Sequence, residues 1–122
     1  VFEVMDQGDW DALKRPMHPD HEFRFPLARS VLDRDGHLAL LAGFRKGFTD
    51  MQHLVADQLA EGDKVVTRGK VRVRHTGEWT AGKTIEFGFI NIVRLKDGTN
   101  REEWDELDGL TLMRALGALP EA

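Results

Sequence analysis

Asn91 is the single amide in an otherwise apolar row, Ile85, Phe87, Phe89, Val93 and Leu95 sharing its parity. An amide so placed holds an oxygen of a buried ligand or satisfies buried backbone. His75 closes a second alternating row, Val65, Thr67, Gly69, Val71 and Val73. It is either a packed, hydrogen-bonded histidine or a proton relay. Asp108 shares parity with Trp104 and Glu106, and it directly precedes Gly109-Leu110 at the start of a helical pattern. Asp there is a favoured helix N-cap, so capping stands beside any acid/base role. The chain has no cysteine, so thiol nucleophiles, disulfides and thiolate metal sites are excluded. Chemistry falls to carboxylates, histidines and amides.

Two other clusters read as non-catalytic. His18-Pro19-Asp20-His21 has metal-binding residue types, but Pro19 prevents helical presentation and spacing supplies no third ligand beyond a distant His53. No metal is expected. Arg68, Lys70, Arg72 and Arg74 alternate on one strand face, where Asp57, Glu86, Glu103 and Asp105 can offset them from neighbouring strands or a partner subunit.

The elements that position these residues follow from periodicity. Phe2, Met5, Trp10 and Leu13 recur at helical intervals around Gly8-Asp9, predicting two short helices or one interrupted helix. Pro16, Pro19 and Pro26 exclude a regular helix over 16–29, which is expected to cross the mouth of the fold. Leu38, Leu41, Phe44 and Phe48 predict a helix from about Gly36 to Gly47, with Asp33 and Asp35 as cap candidates. From Met51 the period becomes two. Turn signals at Gly62-Asp63, Gly77 to Gly82 and Asp97-Gly98 divide four antiparallel strands, about Met51–Ala60, Lys64–His75, Thr84–Leu95 and Arg101–Asp108. A short helix through Leu110, Met113 and Leu116 closes the chain, ended by Gly117. Helices followed by a meander make an α+β domain with the helices on one sheet face. Parity gathers Val71, Val73, His75, Phe87, Phe89, Asn91, Trp104 and Asp108 on the concave face, and a bulge would shift this assignment.

The 122 residues fit a single domain over 1–122, with 41% hydrophobic and 31% charged residues as in ordinary globular proteins. No apolar run approaches a membrane span, and no leader pattern precedes Trp10, so no membrane association and a cytoplasmic setting are expected. A net charge of −4 argues against nucleic acid as partner.

Several segments carry a resemblance in order and spacing. Gln58 to Val66 forms a strand-turn-strand segment, His75-Thr76-Gly77-Glu78 follows, and Ile92 to Gly98 precedes Glu103-Trp104 and Asp108. Together with Leu116-Gly117-Ala118, these resemble the SnoaL-like polyketide cyclase and ester-cyclase branch of the NTF2-like superfamily. The segment Gly77 to Gly82 is shorter than the loop usual there, which points to a different pocket rim. The resemblance implies an NTF2-like (cystatin-like) cone: a strongly curved antiparallel sheet with N-terminal helices enclosing a pocket, and a short C-terminal helix. It further implies a homodimer and chemistry without metal or organic cofactor. In such cyclases a carboxylate at the position of Asp108 serves as general acid/base for an aldol closure. A buried Asp with a raised pKa suits removal of an acidic β-dicarbonyl proton. Asn91 and His75 would assist as catalytic partners, and Phe87, Phe89, Trp104, Val71 and Val73 would wall a small hydrophobic or aromatic ligand. A non-catalytic ligand-binding or assembly module is the alternative. An epoxide hydrolase is less favoured, because Asn91 and Phe89 stand where an Asp and an Arg are wanted.

Overall fold

The computed structural model describes residues 14–26, 28, 30–75 and 84–115. The expected helices before Leu13, the turn from Gly77 to Gly82 and the ending after Ala115 lie outside the described residues. Within them the chain runs β1 (Met17–Arg24), α1 (Arg34–Gly47), β2 (Phe48–Glu61), β3 (Lys64–His75), β4 (Thr84–Lys96), β5 (Thr99–Leu107) and α2 (Gly109–Ala115). The strands form one mixed sheet in the order β1-β5-β4-β3-β2.

Each boundary has a local cause. The Asp33 carboxylate accepts from Gly36 N at 2.8 Å and starts α1, and the Phe48 N–H bonds back to the Phe44 carbonyl where α1 passes into β2. Asp97 and Gly98 both take positive φ, 53° and 76°, the geometry of a two-residue type I′ turn that joins β4 to β5. Gly62, at φ 60°, turns β2 into β3. Gly69 meets a different demand. A Cβ there would lie 2.2 Å from the Leu54 carbonyl oxygen, because β2 bends onto β3 at a register shift between Val55 and Asp57.

The sheet departs from four antiparallel strands in one respect. The 16–29 segment does not cross the mouth as an irregular stretch; it contributes β1, which lies parallel to β5 at the sheet edge. Proline is compatible with such a strand because Pro19 is exposed where the pairing shifts between Met17 and Glu22, so no ladder donor is missed. The Asn100 N–H bonds to the Pro16 carbonyl at 2.7 Å and anchors the start of β1.

Met51, Val71, Val73, Ile85, Phe87 and Leu112 form the buried core, with Phe44, Phe48 and Leu107 packed against it. On the opposite face the basic stripe is paired as expected with Asp57 and Glu86: Arg68 with Asp57, Arg72 with Glu86 at 3.0 Å and Lys70 with Glu86 at 3.3 Å. Glu103 and Asp105 take no part in that surface; they point inward.

Candidate functional site

Asn91 faces Asp105 across the β4–β5 ladder, and Val93 faces Glu103. Cross-strand partners share a face, so both carboxyl groups join the inward row of β4. Phe23 of β1 stands beside Glu103 in the parallel ladder and is also internal. The strand parity expected for β5 is thereby reversed: Trp104 pairs with Ile92, and its ring lies under the Arg24 guanidinium, 5.2 Å from centroid to carbon. Trp104 therefore belongs to the outer face, where it makes a cation–π contact.

α1 lays His37, Leu40, Leu41 and Phe44 toward the sheet, one helical stripe beginning with a histidine. His37 is 2% exposed and stacks on Phe23 with ring centroids 3.6 Å apart. His21 of β1 is 1% exposed. The result is one internal polar cluster. His21 Nδ1 lies 3.0 Å from the Asn100 carbonyl, and His21 Nε2 lies 3.0 Å from His37 Nδ1. His37 Nε2 faces Glu103 Oε2 at 3.9 Å. Asn100 Nδ2 donates to Glu103 Oε1 at 2.7 Å, and Asn91 Nδ2 donates both to Glu103 Oε2 at 3.1 Å and to Asp105 Oδ1.

Burial governs the electrostatics. It pushes Glu103 well above the usual carboxylate range, with the charge of Asp105 and a hydrogen bond to it adding to the rise. It raises Asp105 to about 6. It also lowers His37 to about 3, with help from His21, and lowers His21, whose bond to the Asn100 carbonyl opposes the shift. Two carboxyl groups in one desolvated place cannot both ionise freely, so Glu103 keeps a proton while Asp105 releases its own near neutrality. Beside them stand two neutral imidazoles.

Two cavities meet at this cluster. The first, about 110 Å³, is lined by Phe23, Phe44, Phe87, Phe89 and Asp105 among others. The second, about 320 Å³, is lined by Gln58, Thr67, His37 and Asn100. Leu41, Asn91 and Glu103 border both. The second cavity lies at the lower end of the roughly 300–1000 Å³ common for small-molecule sites, and the aromatic lobe extends it. A larger groove of about 650 Å³ opens elsewhere, lined by Leu54, Arg68, Lys70, Ile90, Glu106 and Asp108. Of its two carboxylates Glu106 also borders the aromatic cavity and its charge adds to the rise of Asp105, whereas Asp108 borders the groove but neither cavity of the cluster.

Asp108 lies in that outer groove. It is exposed and accepts from Thr111 N at 3.1 Å and Thr111 Oγ1 at 2.6 Å. These bonds, the hydroxyl first, hold its carboxyl below the ordinary range. It is the N-cap of α2, a geometry opposite to that of a buried acid with a raised pKa. His75 is set apart from the cluster as well, at the end of β3 in ring contact with Phe48 at 5.2 Å. Asn91 is central but differently employed, since its amide bridges two carboxyl groups. Val71, Phe87 and Phe89 line the aromatic cavity, while Val73 is packed in the core.

Composition and spacing did not single out His21, His37, Glu103 or Asp105 as a group. A signal existed for His37, four residues before Leu41 and seven before Phe44 on the same helical stripe. For a metal, His21, His37 and Glu103 are the available set, with one ligand atom each all within 4.8 Å. The close approach of the two facing imidazole nitrogens, however, is that of a hydrogen bond, in which one nitrogen keeps its proton. His18 and His53 join no such set among the described residues.

No curated protein sequence matches this chain. Solved structures do. IdmH from Streptomyces antibioticus, provisionally assigned as a polyketide cyclase, is 29% identical, with a TM-score of 0.86 over 95% of this chain and 92% of that one. TsrD from Streptomyces laurentii is 30% identical, with a TM-score of 0.81 over 97% and 90%. AclR from Streptomyces galilaeus, provisionally assigned as a hydroxylase, is 25% identical, with a TM-score of 0.86 over 98% and 91%. These structures share the curved α+β sheet described above. The SnoaL-like polyketide cyclase profile matches residues 1–116, nearly the whole sequence, and the chain belongs to that family.

Proposed function

We propose that the chain is a cofactor-independent acid/base catalyst of the cyclase or isomerase kind, acting on a hydrophobic carbonyl compound held between the two cavities. One observation carries this reading: an acid pair, Glu103 and Asp105, bridged by Asn91 and buried against an aromatic wall. Asp105 is the base. As carboxylate it takes the proton from the carbon next to the carbonyl, and the C–H electron pair enters the enolate. Glu103, still protonated, donates to the oxygen that gains charge. For an aldol closure the enolate carbon then forms the new C–C bond, and the alkoxide recovers a proton from the pair. Atoms and charges balance without an oxidant or a metal.

The acid/base roles therefore move inward from Asp108 to Asp105 and Glu103. Asn91 becomes the bridge that holds both carboxyl groups, with each amide hydrogen already engaged. Family membership supports the reaction class.

A bicyclic ketone, 2-tetralone, tests the reading through exchange of its α-protons in D2O followed by NMR. Wild-type protein should accelerate exchange, and Asp105→Asn should reduce it by roughly 10²–10⁴-fold. The rate should rise with pH through about 6, where Asp105 ionises. Binding of the ketone without accelerated exchange would sink the catalytic reading and leave a ligand-binding module.

A further inference from the structure

The cluster contains a chain of hydrogen bonds with only one consistent direction. The Asn100 carbonyl can only accept, so His21 Nδ1 carries the hydrogen of their 3.0 Å bond. A neutral His21 then presents a lone pair at Nε2, and His37 Nδ1 must be the donor of the next 3.0 Å bond. A neutral His37 is left with a lone pair at Nε2, the nitrogen that faces Glu103 Oε2 at 3.9 Å. That gap is too long for a direct bond and suits one bridging water in the second cavity, which both residues border.

The cavity linings add a direction. Asp105 borders only the aromatic cavity, His37 only the second, and Glu103 borders both. Glu103 thus has a carboxylate neighbour on one side and an imidazole acceptor on the other. We propose that His21 and His37 are a positioning pair that assigns the shared proton of the acid pair to Glu103, leaving Asp105 as the base. The inference rests on the acid-pair reading above. In the resting site His37 accepts the hydrogen bond of the Glu103 hydroxyl through water and never the proton itself, and with the ketone bound the same hydroxyl turns to its oxygen. Its depressed basicity fits that role, because a readily protonated imidazole would become a donor and reverse the chain.

The charges facing the cluster are Arg34 on α1, Glu22 on β1 and Arg101 on β5 at His21, Glu103 at His37, Asp105 at Glu103, and Glu106 at Asp105. Arg34 and Arg101 both oppose protonation of His21, and Glu22 favours it. Burial first, and then these two cations, lower the basicity of His21, in the same direction as that of His37. Phe23, stacked on the His37 ring, fixes the plane in which the lone pair points.

The experiment is 15N NMR of the histidine rings of the full chain at pH 6.5. Both His21 and His37 should be neutral and carry hydrogen on Nδ1. Hydrogen on Nε2 of His37 would make it a donor to an ionised Glu103 and overturn the proposal. In His21→Ala the anchor is lost and His37 should redistribute toward the Nε2–H form. His21→Asn, which can offer an acceptor oxygen, should restore it; a His37 tautomer indifferent to both changes would also overturn the proposal. Micromolar Zn2+ that removes the Nδ1–H signal would replace the positioning pair by a metal centre.

The same variants are read in the 2-tetralone assay. In His37→Leu, measured at saturating ketone, the rising limb of the pH–rate profile should move up by about one unit, because the shared proton now falls to Asp105. His37→Gln, which keeps an acceptor, should move it back. An unmoved limb in His37→Leu refutes the assignment. Should wild-type protein exchange no α-protons, the acid-pair catalyst is lost, and the ring tautomers together with 13C titration of Glu103 and Asp105 still decide the proton's place. A protonated Asp105 beside an ionised Glu103 in that titration contradicts the proposal.

Discussion

Replacing Asp105 by Asn should make the protein more stable at neutral pH while removing its activity. The ordinary Asp pKa of 3.8 rises to about 6 in the folded chain. In the unfolded chain the group ionises near its ordinary value, whereas the folded chain keeps the proton until about 6. Between those values the folded state binds more protons, so its stability falls as pH rises and the full penalty applies above about 6. At 1.36 kcal/mol per unit the penalty is about 3 kcal/mol. Asn keeps the shape and an acceptor oxygen for Asn91 but gives up a charge-assisted hydrogen bond, which offsets roughly 1 kcal/mol. It also removes the charge that opposes ionisation of Glu103. The expected gain is thus about 2 kcal/mol at pH 7.5 and close to zero at pH 4, where wild-type Asp105 is protonated in the folded chain. Urea unfolding monitored by tryptophan fluorescence should place the variant midpoint about 1 M higher at pH 7.5. A variant no more stable than wild type at pH 7.5, or a difference that stays constant between pH 4 and 7.5, would refute the argument that Asp105 is ionised at the cost of burial.

Asp108→Ala should lower the thermal midpoint by about 4 °C through loss of the α2 cap, with ketone exchange within twofold of wild type; a thousandfold loss would return Asp108 to the catalytic role. Gly69→Ala should abolish soluble folded protein or reduce its stability by several kcal/mol, because the new Cβ meets backbone at 2.2 Å, and circular dichroism would reveal an unaffected sheet if the close approach were wrong. Trp104→Leu should leave the ketone's Kd unchanged while altering tryptophan fluorescence, since the ring faces Arg24 on the outer surface. Phe87→Ala, by contrast, opens the aromatic wall and should weaken both ketone binding and stability, the latter by about 3–5 kcal/mol; equal binding would move the ligand elsewhere.

Much of the sheet was legible because its signals are local. From Thr67 to Arg74 of Lys64–His75 every second residue is a cation, the strand is bounded as expected, and Asp97-Gly98 announces its hairpin. β1 was not legible. Its partner is β5, far along the chain, and its prolines argue against strand until the exposed position and shifted pairing of Pro19 are known. The face of β5 failed for a sharper reason. Counting back from the Asp97-Gly98 turn, Lys96 meets Thr99 and Leu95 meets Asn100, but Arg94 then meets Glu102. One residue, Arg101, is passed over. That bulge reverses the parity of everything after it, placing Glu103 and Asp105 inside and Trp104 outside. With charged residues at both parities of β5, alternation alone had no means of detecting the change. The catalytic role of Asp108 was implied by the resemblance and the uncorrected count placed it on the concave face, whereas its capping role was legible from Gly109-Leu110 beside it.

The parallel pairing of β1 with β5 also sets an order of assembly. The β2–β3, β3–β4 and β4–β5 ladders join consecutive strands and can form as each is completed. Beyond the local bridge from Phe23 to Leu32, β1 has no strand to pair with until the last one exists, and the bond from His21 to Asn100 spans 79 residues of sequence. Until residues 99–107 arrive, a nascent chain can cover Phe23 and His21 only with His37 of α1 and the bridge to Leu32, with no strand beside them. The interior acid pair is consequently created late, when the N-terminal edge docks onto a meander already in place. In pulse-labelled refolding, amide protection should appear along β3 and β4 before it reaches β1; simultaneous protection would point to an earlier closure of this long loop.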